Sequence, residues 1–523
     1  MANVFDDYAK LVSDKSSILP VWQEIGEYIY PALQDFNRYI SRGEKRGRPI
    51  FDQTAELSND TFASSLMGLI ANPSTKWLNY QLSDTRLMQD RSVQMFLDEA
   101  QTKALSVFNN PRGKFYDNLF TLLKIIGAFG TGALMMDDDK DAVAKFRAES
   151  PKNIDFTEDF GGNVKDVYFE REYTVEAILE KRDNDKWTIP SAYNTKPKSE
   201  KVKVLRHIRR NNAYDPTKAG IKFAKFISEY WLKEEKQLAH SGFFNVQRVA
   251  IGRWDRMESS KWADSPGRVA LGTTKMINAA DRAMIVAMEK ELSPTLFVSS
   301  EAKYGKLDTS AGAVNVGRGN PNDMLRELKT TGNIGAAFEW METKRQQIRN
   351  AFYVDVFQMN PSVDITATQA MIMNQEKMRG IAPKGGKIQS DVLGPAAEFV
   401  LYELIKRGEI KLPEILKQSK ADIKVIYLSP LAQAQRLQDA NSILQFMSDI
   451  NFVAQASPTV LDRIDFDATV QEMADIRGIP EKLLLPLQET MEIRDQRNKE
   501  RQAQQMMAST QQIAETAKTM TMQ

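Results

Sequence analysis

The sequence predicts an α+β fold that is mainly helical, and three observations carry that reading. Apolar residues recur at intervals of three and four along most of the chain, the spacing of one helix face. A stretch near the middle instead alternates polar and apolar residues, as half-buried strands do. From Ser265 onward, two long helical patterns bracket a segment rich in Gly, Asn, Ser and Thr. At roughly 150 residues per domain, the 523 residues make three or four structural units.

The first long helix is expected from Thr54 to Ala71, with Phe62, Leu66, Leu69 and Ile70 on one side until Asn72-Pro73 stops it. Leu119 to Met136 is the most apolar stretch, but Lys124 interrupts it and Gly127, Gly130 and Gly132 punctuate it. It is too short and broken for a membrane span and reads as a buried helix leading into a glycine turn. Strands follow at Lys201-Val-Lys-Val204 and within Ile221 to Trp231. Ser265-Pro266 fits an N-cap followed by N1, and Ile277, Ala280, Met284 and Met288 then repeat until Ser293-Pro294.

Thr295 to Asn333 contains two short β-like pieces, Leu296-Phe-Val298 and Ala313-Val-Asn-Val316. A second rod spans Ala336 to Tyr353, with Phe338, Met341, Ile348 and Phe352 roughly on one face. At ~1.5 Å per residue each rod is about 30–40 Å long. Asn360-Pro361 prevents a continuous helix beyond it. Thr366-Ala-Thr-Gln369 has the form of a capping box, and its helix runs to Gly380. Another helix is expected from Gln389 to Arg407, kinked or divided by Pro395.

Beyond Ser429-Pro430 the pattern is helical throughout. Leu437, Ala440, Leu444 and Met447 make one stripe, and Asp467 and Gly478 bracket a further helix. After Pro486 there is no proline or glycine. The sparse seam of Ala503, Met506, Ile513, Ala517 and Met520 is expected to order only where copies pack together.

Composition removes whole classes of function. Lys+Arg number 70 against 69 Asp+Glu, a formal net charge of +1, without the basic excess of a protein that grips nucleic acid tightly. There is no cysteine and only two histidines, His207 and His240, so no disulfide framework, cysteine nucleophile or thiolate zinc site can be built. The N-terminus lacks the basic and apolar regions of a signal peptide; a cytoplasmic folding environment is expected, without membrane association.

Candidate chemistry gives way to structural readings. Gly380 to Ile388 resembles a P-loop, yet Lys387 is followed by Ile388, the glycine spacing is off by one and a helix precedes it. A turn between helices is the expected use. Asp137-Asp-Asp-Lys-Asp141 has Ala142 and Ala148 where a calcium loop needs Gly and Glu, so an exposed acidic turn is expected. Gly127-Ala-Phe-Gly130-Thr-Gly132 has the wrong order for a dinucleotide fingerprint, and close helix packing explains it better. Two basic runs, Arg42 to Arg48 and Lys196 to Arg210, read as solvated faces or subunit contacts ahead of a nucleic-acid surface. His207 reads as another polar strand residue. No catalytic site, cofactor or metal is expected.

The ordered motifs resemble the head-to-tail connector, or portal, proteins of T7-like short-tailed bacteriophages. The resemblance runs through Trp22…Tyr28-Ile-Tyr-Pro31, Ile50-Phe-Asp-Gln-Thr-Ala55, Asn72-Pro-Ser-Thr-Lys-Trp77 and Ala128-Phe-Gly-Thr-Gly-Ala133. It continues through Trp262-Ala-Asp-Ser-Pro-Gly267, Leu292-Ser-Pro-Thr295, Ala351-Phe-Tyr-Val-Asp-Val-Phe357, Ile365-Thr-Ala-Thr-Gln369 and Leu428-Ser-Pro-Leu-Ala-Gln-Ala-Gln-Arg436. Each motif is weak alone; their order over roughly 400 residues is the signal. Gln369 departs from the family pattern, which has Glu there, and still suits a capping box.

The resemblance implies a homo-oligomeric ring, usually a dodecamer, at one capsid vertex of the virion. Double-stranded DNA passes through it during packaging and ejection. The implied partners are terminase, major capsid and scaffolding proteins, tail adaptor and tail proteins, and internal core or ejection proteins. The family pattern divides the chain into a wing (1–264), a first stem helix (265–293), a clip (294–333) and a second stem helix (334–354). A channel loop with wing helices (355–429) and a helical crown or barrel (430–523) complete it. The segment after the second rod resembles the loop that reaches into the channel, which puts Gln358, Met359 and Asn360 nearest the DNA. The bland alternative there is an ordinary helix–helix loop with Phe357 in the core. Twelve helices of ~10 Å diameter side by side leave a bore of about 28 Å, enough for a duplex roughly 20 Å across. Two other readings are an ATP-driven DNA packaging enzyme, which needs the P-loop missing here, and a helical assembly scaffold without a DNA channel.

Overall fold

The computed structural model describes residues 4–37, 50–84, 86–215, 218, 220–258, 260–292, 296–298, 325–327, 334–357, 380–419, 423–427, 442–454, 464–477, 485 and 489–503. They form two compact units. The first comprises Met1–Leu78 with Lys103–Glu409, the second Asn79–Thr102 with Ile410–Gln523.

Three helices open the first unit: α1 (Val4–Lys15), α2 (Leu19–Tyr28) and α3 (Thr54–Ile70). The strand β1 (Leu78–Leu82) and most of α4 (Arg91–Asn109) belong to the second unit, and α5 (Phe115–Phe129) returns to the first. The buried helix and glycine turn expected over Leu119 to Met136 are α5, Gly130 and the strand β2 (Thr131–Asp139). Close packing explains Gly127 as expected: a Cβ there would stand 2.3 Å from Asn59 Oδ1 of α3. Asn59, fully buried, donates to the Lys124 carbonyl at 3.2 Å. Lys124 itself reaches outward to Asp60 at 2.6 Å. No helix among the described residues is long and apolar enough to cross a membrane.

After β2 come β3 (Val143–Glu149), β4 (Ile154–Glu158), β5 (Val164–Thr174), α6 (Val175–Asp185), β6 (Lys201–Arg210), β7 (Phe226–Leu232), β8 (Gln237–Phe244) and β9 (Val249–Arg253). One antiparallel sheet has the order β3-β2-β9 and the other is the meander β4-β5-β6-β7-β8. The acidic run at Asp137 to Asp141 closes the β2–β3 hairpin, where Asp139 Oδ1 accepts from the Ala142 amide at 2.9 Å.

The alternation expected at Lys201 to Val204 holds only at the start of β6. Val202 and Val204 pack with Val175 and Ile178 of α6, whereas Leu205 packs with Tyr8 of α1 on the opposite face. Two covered faces bury the strand from Val204 to Ile208. Its basic run is neutralised by neighbouring strands: Lys201 meets Glu172 at 3.0 Å and Arg209 meets Glu229 at 2.9 Å. His207 is buried rather than an ordinary polar strand residue. Its ring stacks on Tyr168 at 4.2 Å, and Nδ1 lies 3.7 Å from Glu229.

Two long helices follow, α7 (Pro266–Leu292) and α8 (Ile334–Ala351). They run antiparallel, because Asp281 of α7 meets Arg345 of α8 at 3.2 Å while Pro266 and Ala351 line one small cavity. Between them, Leu296–Val298 pairs antiparallel with Leu325–Glu327; Ala313 to Val316 lie outside the described residues. The rods' expected inner faces need correction. Ile277, Met341, Ile348 and Phe352 are buried, but Met288 and Phe338 are 44% and 45% exposed. The contacts that back the pair, Lys275 to Glu24, Asn278 to Phe51 and Arg345 to Asp52, all lie nearer its other end.

Gly380 to Ile388 is helix, not the expected turn. It forms the start of α9, residues 380–406, continuous with a π-turn at Gln389–Leu393 and then Gly394–Lys406. Pro395 neither divides nor ends it. A proline ring clashes with the carbonyl four residues back, and one widened turn just before it absorbs the conflict.

In the second unit β1 pairs with Ile423–Tyr427. Its helices include Glu414–Ser419, residues 442–454, Phe466–Arg477 and residues 489–503. The expected helix near Asp467 is capped by Asp465, whose Oδ1 accepts from Ala468 N at 2.9 Å. Asp467 instead pairs with Arg494 at 2.6 Å. Of the stripe expected there, Leu444 is 42% exposed and Met447 half-buried. Leu437, Ala440 and the seam beyond Ala503 lie outside the described residues.

The imidazole of His207 outweighs burial and, with Arg209, holds Glu229 down to about 2 from 4.5. A depressed carboxyl contributes stability above its unfolded pKa and loses it as pH falls through the folded one. Glu229→Gln should therefore cost about 1–2 kcal/mol at pH 7. In urea titrations the difference from the parent should shrink between pH 4.5 and about 2.

Candidate functional site

Motifs far apart in sequence converge where α7 begins and α8 ends. The turn after α5 needs Gly130, with φ at +79°. A Cβ there would stand 2.2 Å from the Ala263 carbonyl oxygen. Ser265 is the N-cap that Ser265-Pro266 predicts, its Oγ accepting from Arg268 N at 2.9 Å. The same hydroxyl donates to the Ala128 carbonyl at 2.8 Å, tying the helix start to the end of α5. Trp262 stands edge-on to Trp22 at 4.9 Å. The segment at Ile50 to Ala55 completes the setting: Asp52 accepts from Thr54 N at 2.9 Å and from Arg345 Nε at 2.8 Å.

This charge cluster joins the two rods to α3. Arg345 reaches Asp52 and Asp281 together. Burial works against ionised Asp52, yet hydrogen bonds from Arg345 and Thr54 hold it below its usual value. Asp281 is pushed upward by burial, with neighbouring Asp52 adding to it against the pull of Arg345.

Past α8 the chain turns sharply. Tyr353 adopts a left-handed φ of +59°, a conformation that costs a non-glycine residue of order 1 kcal/mol, and a short helix follows at Val354–Phe357. Lys384 of α9 holds this turn. Its Nζ donates to Tyr353 Oη at 3.1 Å and to Asp255 Oδ2 at 2.9 Å. It also lies 5.4 Å from the Trp254 ring centre. Although burial opposes it, Asp255 and Tyr353 raise Lys384 above the usual lysine value. Lys387, the lysine of the apparent P-loop, sits within helix and is pushed down by burial.

Gln358, Met359 and Asn360 lie outside the described residues, as does the capping box Thr366 to Gln369. The structure instead describes both flanks of that segment, Phe357 and residue 380. Phe357 is half-buried, its ring 6.5 Å from Phe62. The sequence reading missed Lys384 and Arg345. A lysine in a Gly-Pro-Gly context was the only local signal for the first, and an aspartate two residues before a helix start the only one for the pairing of the second. Among the described residues, no group of His, Asp and Glu is arranged to hold a metal.

Lys384→Met should lower stability by about 1–2 kcal/mol, the sum of a part-exposed ion pair and a cation–π contact. A raised lysine pKa keeps its contribution below the unfolded value of 10.5 and loses it as pH rises through the folded one. Denaturation midpoints of parent and variant should therefore differ at pH 7 and converge only above about pH 10.5.

Comparison with known proteins places these motifs in context. The family described as bacteriophage head to tail connecting protein matches residues 3–485. A probable portal protein of Bordetella phage BPP-1 is 26% identical over 523 residues, covering 98% of this chain and 93% of that protein. A portal protein of Salmonella phage epsilon15 is 25% identical over 546 residues, covering 98% and 94%.

Proposed function

The chain belongs to the bacteriophage head to tail connecting protein family and has a phage portal role; we propose that it fulfils this role as a ring of identical copies. One observation carries the ring. Along the outer side of α7, Val269, Gly272, Met276, Ala279, Ala283 and Val286 are all exposed. Their alternating three- and four-residue spacing is that of a coiled-coil seam. Arg268, Lys275 and Arg282 flank it at every seventh residue. An apolar stripe of this length left in water marks an association surface, and a second copy supplies the covering face.

In this reading the ring, most simply a dodecamer, sits at a capsid vertex, and double-stranded DNA passes through its centre during packaging and ejection. Residues 1–264 form the wing, 265–293 and 334–354 the stem, 294–333 the clip, 355–429 the channel loop with wing helices, and 430–523 the crown. The clip docks terminase and later the tail adaptor, while outer surfaces meet capsid and scaffolding proteins. Gln358, Met359 and Asn360 face the DNA from a loop anchored by the Tyr353–Lys384 contact. These uncharged side chains restrain DNA without fixing it to phosphates. The packaging-enzyme alternative draws no support from Gly380 to Ile388, which are helical.

Ala279→Glu should put a charge in each seam and cost about 3 kcal/mol per interface, roughly a hundredfold in association. Native mass spectrometry should show rings for the parent and mainly monomers for the variant, with unchanged circular dichroism. Equal ring populations would remove the seam from the assembly. Deleting residues 358–360 should leave rings intact while filled heads retain less DNA; heads that fill and hold DNA like the parent would reduce the segment to a connector.

A further inference from the structure

A cleft of about 830 Å³ lies between the two sheets of the first unit. Its floor is the part of the five-stranded sheet that α6 leaves open, and the β2–β3 hairpin forms the facing wall. Arg206 occupies the centre of the floor with its side chain only 9% exposed. Its Nε donates to Ser228 Oγ at 3.0 Å and its Nη1 to Asp137 Oδ1 at 3.3 Å. The guanidinium lies 5.0 Å from the Tyr230 ring centre. Its Nη2 has no acceptor among the described residues.

Four more guanidiniums line the cleft, and that of Arg407 donates to the backbone carbonyls of Asp139, Lys140 and Val143 in the hairpin. Arg147 and Arg171 share one carboxylate, Glu149, at 2.8 and 3.2 Å. Arg248 pairs with Asp138 at 2.5 Å. Its Nε is buried without an acceptor among the described residues; Glu403, 3.6 Å away, is shared with Lys406, and the guanidinium lies 4.9 Å from the Phe244 ring centre. Glu170 also borders the cleft, but its carboxylate is engaged by Tyr8 and Lys233. Five guanidiniums, with Lys140 and Lys181, thus stand against Asp137, Asp138, Glu149, Glu170 and Glu180. Trp187 and Tyr230, 4.8 Å apart, add an aromatic wall.

The geometry points to a docking cleft for a short acidic peptide segment of a partner protein. One carboxylate is received by Arg206 Nη2 with Arg171, and its apolar neighbours lie against Tyr230 and Trp187. Phe169 pairs with Arg206 and Arg171 with Val204, which sets the two arginines diagonally on one sheet face within reach of a single carboxylate. Guanidinium forks suit that planar acceptor, and the arginines are already fixed by their own partners, so little ordering remains to be done on binding. A small cation excess favours a sparsely charged peptide. A phosphate chain would meet the resident carboxylates at close range. The volume falls within the roughly 300–1,000 Å³ typical of ligand clefts. This reading is independent of ring assembly.

The test uses the purified full chain and a random dodecapeptide display library, with two variants as controls. Gly242→Trp fills the cleft, because a Cβ there meets only His240 Nε2, at 3.8 Å. Arg171→Gln removes one fork at a side chain 43% exposed and leaves Arg147 on Glu149. Parent selections should enrich Asp or Glu beside apolar residues. Synthetic copies of those peptides should bind Arg171→Gln at least tenfold more weakly and Gly242→Trp not measurably, with both variants melting like the parent. The proposal is overturned if no sequence is enriched above the Gly242→Trp control, if enriched sequences lack acids, or if both variants bind like the parent. Displacement of the peptides by inorganic pyrophosphate at stoichiometric concentration would likewise overturn it, by making the cleft a phosphate site.

Discussion

The placement of the two rods depends on one hydroxyl. Ser265 Oγ accepts from the first turn of α7 and donates to the last turn of α5, so a helix start is fixed to a helix end through a single buried atom. A helix N-terminus leaves backbone N–H groups without partners, and a serine there would ordinarily satisfy one of them facing water. Here it also satisfies an orphan carbonyl on another helix. The Gly130 turn allows the approach, because any side chain at that position would strike the strand leading to Ser265. The rods, the charge cluster around Arg345 and the turn at Tyr353 are all built outward from this contact.

Charge is handled the same way throughout the first unit, by local cancellation. The basic run on β6 faces acids on β5 and β7, Lys124 faces Asp60, and Arg345 bridges two aspartates. The near-zero total read from composition is therefore also near zero locally. Around the cleft between the sheets, the cancellation is incomplete.

The legible parts of the fold were those written in contiguous residues. Ser265-Pro266 marked the start of α7, Asn72-Pro73 the end of α3, and the glycines after Phe129 the α5–β2 turn, because caps and breakers act within a few residues of themselves. The errors arose where a local signal met a distant neighbour. Gly380, Pro383 and Gly385 spell a turn, yet the segment is helical, with Ile381 and Ile388 fully buried. Phe338 matches its helix face in periodicity but is left exposed among the described residues. The Lys384–Asp255 pair of the clamp and the Arg248–Asp138 pair of the cleft join residues 129 and 110 positions apart, and no spacing rule reaches across that distance. The ordered motifs did better because several of them meet at one junction, although nothing in any single motif says so.

The rods also have a mechanical consequence. The Asp52–Arg345–Asp281 bridge ties them to the rest of the first unit, and α7 continues eleven residues beyond it, roughly 16 Å at ~1.5 Å per residue. A beam held at one end carries its greatest bending moment at the support. A sideways load on the tip of the hairpin is therefore felt least where it is applied and most at Arg345, Ser265 and Lys384. The same lever works in reverse: a small rotation at the junction, such as the widened turn beside Pro395 could accommodate, becomes a larger displacement at the tip.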